Sequence, residues 1–152
     1  MHGSLRIYRT ESFDPAYVDR FRMLESNADP VFHFLISDGI MVDFRTAFMP
    51  KTLESMRIQR ILTSYQLQRI LMESDDYPYF IAVMSHSISD WKTSILQSIL
   101  DVLRIKTYYR GCRIDMNIIG ERDIHELYMG STKVAGRTVK MDRRVFRWDE
   151  QY

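Results

Sequence analysis

Cysteine is almost missing from this chain: Cys112 stands alone among 152 residues. One thiol excludes an internal disulfide framework and a thiolate metal cluster, and makes the cytoplasm or another reducing intracellular compartment the expected setting. Glycine and proline are scarce too, at six and four residues. No glycine-rich phosphate loop occurs, neither G-x-x-x-x-G-K-S/T nor G-x-G-x-x-G, so no cofactor is expected. No apolar run approaches the roughly 18 residues that span a bilayer, and residues 1–8 lack the apolar core of a secretory signal. No membrane partner is expected. Charge of one sign is also lacking, since the formal net charge of +1 gives no overall steering toward nucleic acid. Any such contact must come from a local patch.

What is present suits a folded domain. Apolar residues make up 45% of the chain and charged residues 27%, enough for a core in a chain long enough for one domain. The clearest architectural signal is residues 77–119. Residues 79–84 form a short apolar run opened by Pro78, residues 91–108 are periodic, and residues 112–119 are strand-like again. A helical crossover between two apolar strands predicts a parallel βαβ unit.

Around this unit the expectations are these. Residues 5–9 alternate and read as an edge strand. Asp14 and Pro15 open a helix, with Val18 and Phe21 on its buried stripe and residues 26–30 stopping it. Residues 31–36 and 40–44 flank Asp38-Gly39 and read as a hairpin. The first of these runs is apolar on both faces apart from His33, as in a central strand. Residues 50–74 contain no glycine or proline after Pro50 and read as one long helix with two apolar faces. Ile58, Ile61, Leu62, Tyr65 and Met72 make one face, and Leu53, Met56, Leu67, Ile70 and Leu71 the other. A break near Thr63-Ser64 that resets the phase would also explain the pattern. Ser87 and Asp90 resemble a capping box for the crossover helix. The fold class is therefore α/β or α+β: one domain over residues 1–152, with a mixed sheet containing a parallel βαβ unit and covering helices. Residues 133–152 form an edge strand or an ordered basic tail.

Three groups of residues carry candidate chemistry. Ser85, His86 and Ser87 follow the strand that opens the βαβ unit, where parallel sheets commonly bind ligands, and Arg122 and His125 follow the neighbouring strand. Together they make a candidate anion site. Asp115, inside an apolar strand, and Glu121 are candidate ligands for a metal such as Mg²⁺. Arg137, Lys140, Arg143, Arg144 and Arg147 interleave with Phe146 and Trp148, a pattern suited to phosphate contact and base stacking. No nucleophile elbow or zinc pattern is present, and no catalytic residue is assigned.

The functional expectation is a non-catalytic assembly protein. It would self-associate as a homodimer or other homo-oligomer, or bind a protein partner, through Leu53, Met56, Leu67, Ile70 and Leu71. It would contact nucleic acid or an acidic partner through the basic carboxyl-terminal segment. The alternative is a metal-dependent nuclease or phosphate-processing enzyme using carboxylates near strand ends.

Overall fold

The computed structural model describes residues 3–24, 31–120, 140–141 and 145–148, the last two stretches by their backbone alone. Alternation sets the first strand, β1 (Ser4–Thr10): Leu5 and Ile7 join the core on one face, while Arg6 and Tyr8 point to the other. Asp14 then caps helix α1 (Pro15–Met23), its Oδ1 accepting the Ala16 N–H at 2.9 Å, and Pro15 occupies the first turn. Val18 and Phe21 are buried as the stripe predicts.

Strand β2 (Phe32–Ser37) is covered on both faces. The expected hairpin after it does not form. Gly39 takes the turn at a φ of 92°, Ile40 drops into the core, and Asp43 ends the extended run by capping a short helix, α2 (Phe44–Ala47). Phe44 and Phe48 then pack on Phe34, with ring centroids 6.3 and 5.8 Å away. Aromatic burial on a two-sided strand therefore overrides the local hairpin signal.

The single helix expected over residues 50–74 is three elements: helix α3 (Pro50–Ser55), strand β3 (Met56–Ile61) and helix α4 (Ser64–Glu73). The break falls where Thr63 Oγ1 accepts the Gln66 N–H at 3.1 Å and Gln66 Oε1 accepts the Leu62 N–H at 2.8 Å, a reciprocal cap. Residues 56–61 give up helical structure to pair in parallel with β2, whose edge would otherwise be open. The two apolar faces thus belong to different elements. Leu67, Ile70 and Leu71 are core residues beneath α4, and Leu53 and Met56 pack against the core on the opposite side of the sheet. Of these five, expected to form an assembly interface, Leu67, Ile70 and Leu71 are buried in their own chain, and Leu53 and Met56 are half-buried. Of the face expected from Ile58, Ile61, Leu62, Tyr65 and Met72, Ile61 is buried and the other four are exposed.

The βαβ unit stands as expected. Strand β4 (Tyr79–Met84) leads through the short helix α5 (Ser85–Ser89) and helix α6 (Thr93–Arg104) to strand β5 (Arg113–Ile119), which lies parallel beside it. Ser87 lies inside α5, and α6 starts without a side-chain cap, so Ser87 and Asp90 do not cap the crossover helix. A π-helical turn, Ile105–Tyr109, extends α6 and buries Lys106. Lys106 Nζ donates to the Ser74 carbonyl at 3.1 Å and to Asp76 Oδ1 at 3.0 Å, tying α6 to the turn before β4.

The remaining strands are β6 (Lys140–Met141) and β7 (Val145–Trp148). The sheet order is β3-β2-β4-β5-β1-β7-β6. The first five strands in that order are parallel, β7 is antiparallel to β1, and β6 is antiparallel to β7. β1 is therefore interior, not the expected edge strand, because β7 pairs with its outer side. Helices α4 and α6 cover one face, over Leu35, Ile81, Met116 and their neighbours. Helices α1 to α3 cover the other, over Phe32, Phe34 and Phe80. This is an α/β doubly wound sheet whose strand order reverses between β2 and β4. Among the described residues no helix is long and apolar enough to cross a membrane.

Candidate functional site

On the face that carries α1, the phenylalanine core gives way beyond β4, where Ile119 at the end of β5 still joins it. Alternation along β5 and β1 brings Arg113, Asp115 and Asn117, and Arg6, Tyr8 and Thr10, to that face in place of apolar residues. Helix α1 runs along the border. Its Val18 and Phe21 enter the phenylalanine cluster, while Tyr17 and Arg20 flank the polar side. Arg6, Tyr8, Tyr17, Arg20, Arg113 and Asp115 thereby line much of a basin of about 290 Å³ at the amino-terminal end of β1 and β5.

Several contacts fix this basin. Arg113 Nη1 donates to the Phe21 carbonyl at 2.7 Å, and its guanidinium lies 3.9 Å from the Phe21 ring centre. The last turn of α1 therefore holds it in place, as a cation at a helix carboxyl end should be held. The Arg6 guanidinium sits 4.6 Å from the Tyr8 ring centre, and the Tyr8 and Tyr17 rings meet edge to face at 5.8 Å. The buried Nε–H of Arg6 has no acceptor among the described residues. Asp115 is buried at the register position beside Arg6. Burial, and secondarily the Asp115 charge, push the Tyr8 phenol far above its ordinary value, so its hydroxyl stays protonated.

The carboxyl edge, where the strand order reverses, is filled by the protein itself. Ser37 Oγ accepts the Met84 N–H at 3.2 Å, and Arg60 Nη1 donates to the carbonyls of Ser37 at 3.2 Å and Ile40 at 2.9 Å. A niche of about 40 Å³ beside Ser37, Thr63 and Ser87 remains, far below the roughly 300 Å³ of a small-ligand site. Of the expected anion site, Ser85 is buried with its hydroxyl over the Cα of Gly120, while His86 is exposed. Ser87 borders the niche, and the three do not converge. Arg122 and His125 lie outside the described residues.

The expected metal site fares similarly. Asp115 lies near the start of β5, four residues and roughly 13 Å of strand from Ile119. Its basin is lined by guanidinium groups, and among the described residues no group of three or more His, Cys, Asp or Glu could hold a metal ion. Glu121 lies outside the described residues.

Of the basic carboxyl-terminal segment, Arg137, Arg143 and Arg144 also lie outside them. Lys140 belongs to β6, and Phe146, Arg147 and Trp148 to β7. In the register of β7 on β1, Arg147 pairs with Arg6, Phe146 with Ile7 and Trp148 with Leu5. Strand β7 thus lies along the strand that supplies Arg6 to the basin.

Sequence reasoning missed Arg6, Tyr8, Tyr17, Arg20 and Arg113. Tyr17 and Arg20 stand on α1, and the signal for the other three was the polar alternation of residues 4–10 and 113–117. Its meaning depends on a parallel pairing between strands more than a hundred residues apart. A comparison with protein-family models and with curated proteins found no match.

Proposed function

We propose that this chain is a non-catalytic module that contacts nucleic acid through the flank formed by β1, β7 and the arginine basin. The observation that carries this reading is the convergence of Arg6, Arg20 and Arg113, from three separate elements, beside a strand whose Arg147 pairs with Arg6. Guanidinium groups match phosphate oxygens with paired donors and stay charged at any physiological pH. In this reading Lys140, Arg147 and the neighbouring Arg137, Arg143 and Arg144 extend the phosphate contacts, and Phe146 and Trp148 supply stacking. The near-zero net charge makes the attraction local, so it should be strongly screened by salt.

The guanidinium groups around Asp115 favour an anion over a metal ion there, which supports the binding reading over the metal-dependent alternative. The assembly surface assigned to Leu53, Met56, Leu67, Ile70 and Leu71 does not enter this reading, since Leu67, Ile70 and Leu71 are buried in their own chain's core.

Fluorescence anisotropy with labelled single-stranded and duplex oligonucleotides tests the proposal. Binding should weaken steeply as salt rises, and charge reversal of Arg20, or of Arg143 with Arg144, should weaken it further. Absence of salt-sensitive binding, with the variants indistinguishable from wild type, overturns it. So does binding of an acidic polypeptide in preference to either nucleic acid.

A further inference from the structure

We infer that the Arg6–Arg20–Arg113 basin takes a terminal phosphate, the phosphomonoester end of a nucleic-acid strand, in preference to the internal phosphodiesters. This rests on the nucleic-acid reading above and narrows it to one chemical group.

Charge is the first ground. Among the described lining residues, three arginines against Asp115 leave two net positive charges. A phosphomonoester carries about −1.5 to −2 at neutral pH, whereas an internal diester carries one negative charge.

Shape is the second. The basin of about 290 Å³ has the buried Tyr8 and Asp115 on its sheet side and α1 as a wall. That volume sits at the lower limit for small-molecule sites, about 300 Å³. It suits a head group entering end-on better than a strand passing through.

Donor supply is the third. The Nε–H of Arg6 is buried without an acceptor among the described residues, a costly arrangement that a phosphate oxygen would relieve. Tyr8 offers a hydroxyl that remains a donor. Arg113 is already held by the Phe21 carbonyl and ring, so little ordering entropy is lost on binding. The third oxygen of a terminal phosphate gives this donor set an acceptor that an internal diester lacks.

The test compares short single strands of one sequence carrying a 5′-phosphate, a 3′-phosphate or hydroxyl ends, using the full chain and anisotropy at fixed salt. A phosphorylated end should bind about tenfold tighter than the hydroxyl-ended strand. Arg20 is exposed on α1, so Arg20→Glu should fold normally and abolish that preference. Asp115→Asn, which removes a negative charge from the basin, should increase the preference. Equal, salt-sensitive binding of all three strands overturns the inference but leaves the broader nucleic-acid reading standing. No binding of any strand removes both. A preference that survives in Arg20→Glu places the phosphate elsewhere and overturns the inference. Inorganic phosphate displacing the strand as well as a nucleoside monophosphate does assigns the basin to the free ion, with the same result.

Discussion

Lys106 Nζ lies 3.0 Å from Asp76 Oδ1, and the two partners differ sharply in exposure: the lysine side chain is 2% exposed and the aspartate 40%. Arg110 Nη1 reaches the same carboxylate oxygen at 3.3 Å. Loss of Asp76 would strand a buried ammonium with the Ser74 carbonyl and the Tyr79 ring, 5.0 Å away, as neighbours. Asp76→Ala is therefore expected to destabilise the fold by about 3 kcal/mol, the lower end for a broken buried pair because one partner is half open to water. Lys106→Met with Asp76→Asn should recover much of that loss, since no buried charge remains. Urea unfolding of the two variants measures the difference; equal midpoints would show that the pair is not what ties the π-helical turn to β4.

The same end of the sheet should make stability fall with acid in two stages. Burial, then the Arg57 and Lys106 charges, hold His33 below its ordinary value. The unfolded chain then binds a proton that the folded chain refuses. Stability is lost as pH falls from about 6.5 toward the folded pKa, and is constant below it. Burial by itself would raise Asp76, but hydrogen bonds and charge from Lys106 and Arg110 outweigh it and lower the carboxyl. That contribution is lost only below about pH 4, as the carboxylate is protonated. His33 stacks on Tyr79 at 4.5 Å, so His33→Phe should keep the packing and remove the first stage alone. Unfolding midpoints measured from pH 8 to pH 3 check this, and an unchanged profile in His33→Phe would refute it.

Leu67 and Tyr65 separate what the sequence could and could not reveal. Both were read as apolar positions of one helix, yet Leu67 is fully buried and Tyr65 is 55% exposed. Leu67→Ala should cost about 3 kcal/mol, and Tyr65→Ser should stay within about 0.5 kcal/mol. Thermal or chemical unfolding distinguishes them, and comparable losses would mean that Tyr65 is covered in solution. The βαβ unit was legible because Pro78, the apolar run of β4 and the one-sided α6 all agree locally. The strand β3 was not, because Arg57, Gln59 and Arg60 suit a helix, and only the open edge of β2 makes them a strand. The basin was illegible for the same reason. Arg6 and Asp115 become neighbours through sheet pairing, not through spacing along the chain.

Cys112 is buried, and its thiol is raised to about 11, first by burial and then by the Asp76 charge. The thiolate is the reactive form, so alkylation at pH 8 should be slow in the native protein and should appear on unfolding. Mass spectrometry after timed iodoacetamide treatment reads this directly. Rapid native modification would show that the amino-terminal end of β5 opens far more readily than its packing implies.

Gly120 and Ser85 test what the carboxyl edge is for. Gly120 has a φ of 131°, and a β-carbon there would collide with the Ser85 hydroxyl. Gly39 also has a positive φ, 92°, but the nearest atom to a β-carbon there is Met84 Cγ, at an ordinary 3.8 Å. Gly39→Ala should therefore cost about 1 kcal/mol from backbone strain alone, and Gly120→Ala about 3 kcal/mol from strain plus the clash. Ser85→Ala removes the colliding oxygen, so Gly120→Ala should cost roughly 1 kcal/mol less in that background. Denaturant unfolding of the four proteins in the cycle gives the coupling. A coupling near zero would mean that the Ser85 hydroxyl is free to turn away from Gly120, and Ser85 would again be available to an anion at the carboxyl edge.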